Sequence, residues 1–221
     1  MSVAAIARGF LGRGGKKLRP RLCAAAFAAA GGKGDVSALL EAVECFHKAS
    51  LIHDDIQDGD EERYGRPTVW KEHGVAVAIA AGDWLVAHGY RLIVRSGFAA
   101  VGRMLEATVN SHLRLCEGQG DELLYGEEEK VKSDENAFYL SVCERKTGEA
   151  FALAAQLGAL AAGATDKVVE KFRRYGLTYG ILFQICDDVA DRGETPQLLA
   201  LKKDYEDKTA FYRDECALGV W

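Results

Sequence analysis

Two aspartate clusters with identical spacing are the residues in this chain best suited to chemistry. The first is Asp54-Asp55-Ile56-Gln57-Asp58 and the second is Asp187-Asp188-Val189-Ala190-Asp191. On a helix, the first and last aspartates of each cluster lie four residues apart on one face, with the middle aspartate beside them. Like charges at this spacing repel, so each cluster favours a bound cation. Two such clusters facing each other would form a dense site of oxygen ligands.

The residues before each cluster help to separate two interpretations of it. An isolated acidic run is usually a solvated helix face, and that alternative is open for either cluster taken alone. Here the first cluster follows Ala49-Ser50-Leu51-Ile52, and the second follows Phe183-Gln184-Ile185-Cys186. Solvated acidic faces do not normally continue from an apolar stripe, so the repeated arrangement favours a functional site.

Composition limits the class of protein. The 221 residues, 48% hydrophobic and 28% charged, predict one globular domain over residues 1–221. A net charge of −5 disfavours non-specific nucleic-acid binding. Because no apolar run reaches about 18 residues and Met1–Gly15 lacks a signal-peptide core, we expect a cytoplasmic protein without a transmembrane helix. The six cysteines form no C-x-x-C pair and are expected to be reduced thiols.

The periodicity predicts an all-α fold, since alternating β-branched residues are scarce and only three prolines occur. A loop is expected over 125–132, and Ser133 or Asp134 is expected to cap the helix after it. Beyond Asp191 we expect no helix of ordinary length, although Thr195-Pro196 could begin one. The expected helices are 21–30, about 35–58, 75–94, 98–124 with an interruption at 118–120, about 133–158, a short one after 164, and 167–191.

Further motifs carry a family resemblance. The clusters combine with Gly15-Lys16-Lys17-Leu18-Arg19-Pro20 in an order that closely resembles the trans-isoprenyl diphosphate synthases, or polyprenyl synthetases, over about residues 10–191. Other matching elements are Glu44 to Asp55, resembling E-x-x-H-x-x-S-L-I-H-D-D, then Gly65-Arg66-Pro67-Thr68, Ala81-Gly82-Asp83, Gly118-Gln119, Lys146-Thr147 and Phe183-Gln184-Ile185.

The resemblance implies a fold and a reaction. The fold is an isoprenoid-synthase-type bundle of long antiparallel helices around a central cavity, and a homodimer is expected. The reaction ionises an allylic diphosphate, joins the carbocation to isopentenyl diphosphate and ends with proton loss. Hard carboxylate oxygens suit Mg²⁺, and about three ions per site are implied. The implied metal ligands are Asp54, Asp55, Asp58, Asp187, Asp188 and Asp191.

The same resemblance assigns the substrate contacts. Isopentenyl diphosphate would be held by Lys16, Arg19 and His47. By themselves these residues are also consistent with a solvated basic loop and an ordinary helix histidine, although Gly14-Gly15 before a helix favours an anion site. The remaining implied residues, on the allylic diphosphate side or lining the cavity, are Arg63, Lys146, Gln184 and Lys203.

Product length is predicted from the helix before the first cluster. The growing tail of the product is expected to run along this helix from Asp54, past the small residues Ala49 and Ser50. Phe46 is the first large side chain, about 12 Å from Asp54 at about 1.5 Å per residue. We therefore expect a product longer than about fifteen carbons, in the range of about twenty to twenty-five.

Two departures from the family pattern keep alternatives open. Tyr64 stands where the family has a second arginine for isopentenyl diphosphate, so a charge-assisted contact is lost. A terpene cyclase, which needs no isopentenyl diphosphate, is therefore one alternative. The chain also ends thirty residues after Asp191, where the family continues for several helices, and Lys203 lies in an imperfect copy of a K-D-x-x-x-G-K-x-T loop. A non-catalytic partner subunit of a synthase is the other alternative.

Overall fold

The structure, a computed structural model, describes residues 1–125 and 135–216. Regular structure in these ranges is helical apart from one two-stranded hairpin, which confirms the all-α prediction. In chain order the elements are α1 Val3–Leu11, α2 Leu18–Ala29, α3 Ser37–Asp58, β1 Glu62–Arg63, β2 Arg66–Pro67, α4 Val69–His73, α5 Val75–Val94, α6 Val101–Tyr125, α7 Glu135–Val142, a π-helix Cys143–Gly148, α8 Glu149–Ala161, α9 Asp166–Arg192 and α10 Pro196–Glu215.

The chain divides into two compact units. Unit 1 comprises Met1–Arg21 and Asp35–Val101, and unit 2 comprises Leu22–Gly34 and Gly102–Trp221. The first aspartate cluster belongs to unit 1 and the second to unit 2. The single domain expected over residues 1–221 stays a prediction.

Unit 1 is built on the packing of α3 against α5, with α1 and α4 on the same helices. Small side chains such as Ala49, Ala78 and Ala81 are buried in its core and let the two long helices approach closely. The helix α5 is long and apolar enough to cross a membrane by length and hydropathy alone. This is weak support for a membrane span, since core helices of soluble proteins meet the same two criteria.

Unit 2 is built on α9, which packs against α8, α10 and the π-helix. Phe151, Leu157 and Ile185 are fully buried there. Glu149 at the start of α8 is also buried, and its carboxylate accepts hydrogen bonds from Arg114 of α6 and Arg173 of α9. Two guanidinium groups therefore offset the cost of burying this one charge.

Three helices differ from the prediction. The interruption expected at 118–120 is absent, and α6 continues through it. Gly118 is needed there for close packing, since a Cβ on it would lie 2.5 Å from the Cβ of Arg145. The helix predicted over about 133–158 contains a π-helical segment, Cys143–Gly148, and α9 begins at Asp166 without a separate short helix before it. The loop expected over 125–132 and the caps at Ser133 and Asp134 lie almost wholly outside the described residues.

The expectation of no ordinary helix after Asp191 was wrong. The helix α10 covers twenty residues, and the alternative start at Thr195-Pro196 is confirmed. The Thr195 hydroxyl accepts a hydrogen bond from the Leu198 backbone N–H at 3.1 Å, and Pro196 occupies the first turn. Lys203 therefore lies on a helix and not in the predicted loop.

Candidate active site

The first aspartate cluster occupies the last turns of α3, which ends at Asp58 before Gly59 in the left-handed conformation. Asp54 is half-buried and Asp58 is exposed, one turn apart, whereas Asp55 is fully buried. Carboxylates at the C-terminal end of a helix oppose its dipole, so this position is unfavourable without a nearby positive charge. A cation bound near the outer aspartates would therefore be favourable at this end of α3.

Asp55 is held by an arginine of the hairpin. The Arg63 guanidinium donates a short hydrogen bond to Oδ1 of Asp55, and its second nitrogen lies 3.4 Å from Oδ2 of Asp60. Burial raises the pKa of Asp55, and the bond from Arg63 opposes that rise. Oδ2 of Asp55 is buried with no hydrogen-bond partner among the residues that the structure describes. Asp55 therefore orients Arg63 and keeps one unused acceptor atom.

The second cluster occupies the last turns of α9, which ends at Arg192. Asp187 and Asp191 are exposed and one turn apart, while Asp188 is buried. The two clusters therefore share one local arrangement: two accessible outer aspartates and a buried middle one.

Neutral groups hold the buried aspartate of the second cluster. The Tyr139 hydroxyl donates to Oδ2 of Asp188 at 2.6 Å, and the Gln184 amide donates to Oδ1 at 3.3 Å. The Thr147 hydroxyl in turn donates to Oε1 of Gln184 at 2.8 Å. Burial raises the pKa of Tyr139, so its hydroxyl remains a donor. Gln184, predicted to line the cavity, is thus a bonded neighbour of Asp188.

Lys146 lies on the π-helix, half-buried, with its ammonium 2.7 Å from Oε2 of Glu122 on α6. The neighbouring Arg145 bonds Asp121 in the same way. π-helical turns are often found at functional sites, and this one contains both Lys146 and Thr147. The π-helix therefore places Lys146, which is predicted to bind the allylic diphosphate, next to Thr147, which bonds the Gln184 neighbour of Asp188.

The predicted isopentenyl diphosphate residues lie in unit 1. His47 Nε2 is 3.4 Å from the Arg19 guanidinium. Burial, with Arg19 beside it, lowers the pKa of His47 to about 2, so the imidazole is neutral near pH 7. Lys16 is exposed in the loop before α2. Arg19 and His47 are therefore in contact, and any positive charge of this pair comes from Arg19.

Sequence reasoning missed the buried Lys48 beside this pair, and with it the contact that Tyr64 makes. Lys48 is fully buried, and its ammonium lies 4.0 Å from Oε1 of Glu44, one turn back on α3. The ring of Tyr64 lies over the same ammonium, 4.4 Å from ring centroid to Nζ. Opposite charges at i and i+4 inside an apolar helix were the available signal for the Glu44–Lys48 pair.

The three residues predicted to set product length occupy different environments. The Phe46 ring packs edge-to-face on Tyr90, with centroids 5.3 Å apart, and lies directly against Gly89. Ala49 is buried in the core of unit 1, away from the face shared by Asp54 and Asp58. Ser50 is exposed one turn before Asp54. Ser50 is therefore the most exposed of the three and lies one turn before Asp54 on the face of the outer aspartates.

Lys203, predicted to bind the allylic diphosphate, lies on the exposed surface of α10. Its side chain is 78% exposed on α10, and its ammonium lies 3.9 Å from Asp207 one turn later. This is the geometry of an exposed helix ion pair, which contributes little to stability.

Comparison with known proteins identifies the family. The sequence profile described as Polyprenyl synthetase matches residues 2–210. The chain belongs to the polyprenyl synthetase family. It is 37% identical over 180 residues to the short chain isoprenyl diphosphate synthase of Methanothermobacter thermautotrophicus, covering 80% of this chain and 54% of that relative. It is 39% identical over 181 residues to the nonaprenyl diphosphate synthase of Mycobacterium tuberculosis, covering 80% and 52%.

The fold is also similar to that of a solved geranylgeranyl pyrophosphate synthase. It superposes with a TM-score of 0.81 at 27% identity, covering 98% of this chain and 71% of that one. This confirms the predicted isoprenoid-synthase fold. The chain spans about half the length of the curated relatives it matches.

Proposed function

We propose that this protein is a trans-prenyltransferase that condenses an allylic diphosphate with isopentenyl diphosphate. The observation that carries the proposal is the repeated arrangement of the two clusters, each with a buried, hydrogen-bonded middle aspartate and two accessible outer ones. Membership of the polyprenyl synthetase family supports the same reaction.

The donor set fits Mg²⁺. The outer aspartates offer hard oxygen ligands of the kind that Mg²⁺ prefers, at helix ends where added positive charge is favourable. About three ions per site are proposed from the resemblance. When bound, Mg²⁺ would act as a Lewis acid on the diphosphate oxygens. The residues proposed to hold it are Asp54, Asp58, Asp187 and Asp191, with Asp55 and Asp188 as buried supports that could complete the set.

The chain's own residues would divide the work between two diphosphates. The family resemblance implies that Arg63, oriented by Asp55, and Lys146, after leaving Glu122, would bind the allylic diphosphate. Both supply positive charge where negative charge develops on the leaving group. Arg19 would bind the diphosphate of isopentenyl diphosphate with its guanidinium, while neutral His47 can donate one hydrogen bond. Lys16 would add charge from the exposed loop.

A terpene cyclase is the second candidate, because Tyr64 stands in place of a diphosphate-binding arginine. Purified protein is incubated with Mg²⁺ and allylic diphosphates of ten, fifteen or twenty carbons, each with and without isopentenyl diphosphate. Elongated diphosphates formed only with isopentenyl diphosphate are the expected result. Hydrocarbon or alcohol formed without it would favour the cyclase, and no turnover in any mixture would contradict both enzyme functions. Sedimentation of the same sample tests the homodimer expected from the family.

A further inference from the structure

Lys48 is an unusual buried charge. Its side chain is fully buried on α3, and the ammonium donates hydrogen bonds to the backbone carbonyls of Arg13 at 2.6 Å and Gly14 at 3.0 Å. Removing a lysine from water is costly unless its donors are satisfied. These two bonds satisfy most of the donor capacity, and they connect α3 to a segment about thirty-five residues earlier in the chain.

Tyr64 completes the enclosure of this ammonium. Its ring lies 4.4 Å from Nζ, a favourable cation–π distance, and the Phe10 ring lies 5.5 Å from the same atom. Tyr64 adopts a φ of 55°, in the left-handed region that is rare for a residue with a Cβ. A non-glycine residue in this conformation carries backbone strain, which the packing around the ring must outweigh.

The Tyr64 ring also packs against Gly14 and Gly15 of the loop Gly14–Lys17, called the basic loop below. A Cβ on Gly14 would lie 2.9 Å from Cγ of Tyr64, and one on Gly15 would lie 3.3 Å from the hydroxyl and 3.6 Å from Nζ of Lys48. The loop backbone therefore lies directly on the tyrosine ring and the ammonium. Only glycine allows both positions to approach this closely.

These contacts hold the loop Gly14–Lys17 against α3 and against the β1–β2 hairpin. The Gly14-Gly15 backbone leads directly into Lys16 and Lys17 and then into Arg19, which contacts His47. Tyr64 follows Arg63 in the chain. Lys48 and Tyr64 therefore connect the basic loop to α3 and to the hairpin that presents Arg63.

We propose that Lys48 and Tyr64 are positioning residues that hold the loop Gly14–Lys17 in place for binding isopentenyl diphosphate. The proposal rests on the proposed function, whose second diphosphate it concerns. Tyr64 stands where the family has an arginine, but it does not contact the diphosphate in this proposal. Its ring stacks on Lys48 and holds the loop Gly14–Lys17 in position. Its presence is then compatible with elongation and gives no reason to favour a cyclase.

Steady-state kinetics of Lys48→Met, which keeps the length of the side chain without its charge, tests this directly. The KM for isopentenyl diphosphate is expected to rise about tenfold or more, while kcat and the KM for the allylic diphosphate stay within about threefold. Lys71→Met is the matched control, since Lys71 also lies over an aromatic ring, that of Trp70, but on the surface. A fall in kcat alone, or an equal rise in both KM values, would overturn the proposal.

Tyr64 provides a second pair of variants in case Lys48→Met does not fold. Tyr64→Leu removes the ring and is expected to raise the KM for isopentenyl diphosphate about fivefold or more. Tyr64→Phe keeps the ring and should restore most of the wild-type value. Equal KM values for the Leu and Phe variants would contradict a stacking role.

Hydrogen exchange separates failure of this proposal from failure of the proposed function, because it requires no turnover. The backbone amides of residues 14–17 should exchange about tenfold faster in Lys48→Met and Tyr64→Leu than in the wild type and Lys71→Met. Unchanged exchange in this segment would overturn the proposal whatever the enzyme assay shows. Faster exchange in a protein without prenyltransferase activity would support the positioning of this loop by Lys48 and Tyr64 and contradict only the proposed function.

Discussion

The two aspartate clusters are alike in sequence but differ in how the protein holds the buried middle aspartate. Asp55 bonds a guanidinium, that of Arg63, whereas Asp188 accepts hydrogen bonds from the neutral groups of Tyr139 and Gln184. The first arrangement depends on charge neutralisation, and the second depends on a hydrogen-bond network that continues to Thr147. The same motif can therefore be supported by a cation or by neutral donors.

This difference has a functional meaning in the proposed enzyme. Pairing Asp55 with Arg63 presents a cation beside the first cluster, so that part of the site can itself contact an anion. The two groups that donate to Asp188, the Tyr139 hydroxyl and the Gln184 amide, are neutral, so they do not themselves present a cation beside the second cluster. We therefore expect the supports of the two clusters to respond differently to mutation, and the outer aspartates to respond alike.

The largest expected effect is the loss of an outer aspartate. Asp54→Asn and Asp187→Asn should each lower kcat by at least about a thousandfold, because each removes a charged ligand for Mg²⁺ and about 4 kcal/mol of transition-state stabilisation. Product formation at saturating Mg²⁺ measures both. Asp166→Asn, an exposed change at the start of the same helix as Asp187, is the control and should leave kcat unaltered. A strong effect in only one cluster would break the comparison between them.

The supports of the middle aspartates should differ in their contribution to folding. Arg63→Gln leaves Asp55 buried without its cation and should lower the free energy of unfolding by about 3 kcal/mol. Tyr139→Phe removes one of two neutral donors from Asp188 and should cost about 1.5 kcal/mol. Urea unfolding of each variant, and of the double mutants with Asp55→Asn and Asp188→Asn, gives the two coupling energies. Equal coupling energies would mean that the charge of Arg63 stabilises the buried aspartate no more than the neutral Tyr139 hydroxyl does.

Helix ends could be predicted from the sequence, but the residues that hold the buried aspartates could not all be found in this way. The end of α3 at Asp58 and the start of α5 at Val75 were predictable, because Gly59 and Gly74 interrupt strong local patterns. The contacts that connect Tyr139 and Thr147 to Asp188 were not predictable, since nothing local relates either residue to an aspartate forty or more residues away, although Lys146-Thr147 was recognised as a motif. The Glu44–Lys48 spacing was a local signal for a charge pair, but the bonds from Lys48 to the backbone carbonyls of a distant loop were not predictable.

The helix α10 was missed because its charges resemble a loop when taken one by one. In the structure they are ordered at helical spacing, with Lys208 2.6 Å from Asp204 and Lys203 3.9 Å from Asp207, one turn apart in each case. Such i,i+4 pairs each stabilise a helix slightly, by about 0.3–0.5 kcal/mol. The cap at Thr195 then fixes the start. Spacing, and not charge content, was the signal to use.

Two neighbouring residues on α3 separate the product-length hypothesis from core packing. Ser50→Phe places a ring on the exposed face that continues from Asp54 and should shorten the product with little change in stability. Ala49→Phe forces the same ring into the core of unit 1 and should cost about 1–3 kcal/mol. Chromatography of the products and urea unfolding distinguish them. Unchanged product length in Ser50→Phe would mean that this face does not limit the chain.

The smallest expected effect is on acid stability, through two half-buried histidines, His47 in unit 1 and His112 in unit 2. The folded-state pKa is lowered to about 2 for His47, mainly by burial, and to about 4 for His112. Unfolded histidine titrates near about 6.5, so the unfolded state binds more protons below that pH. Stability is therefore full above about pH 6.5 and falls with acidification, ending near pH 4 for His112 and continuing lower for His47.

Unfolding in urea at pH 5, 6 and 7 checks this sign. Each histidine should contribute a slope of up to about 1.4 kcal/mol per pH unit below pH 6, which His47→Leu or His112→Leu removes. The slope of each variant should then be shallower than that of the wild type. A slope that stays the same in both variants would show that neither imidazole is held neutral by the fold.

We propose that both clusters bind one diphosphate through Mg²⁺, and calorimetry tests this proposal most directly. An unreactive farnesyl analogue, with sulfur in place of the bridging oxygen, is titrated in Mg²⁺ into the wild type, Asp54→Asn, Asp187→Asn and the double variant. We predict that each single change weakens binding at least about thirtyfold, and that the double change weakens it little further, because one shared site is already lost. Two independent losses that simply multiply in the double variant would contradict the claim.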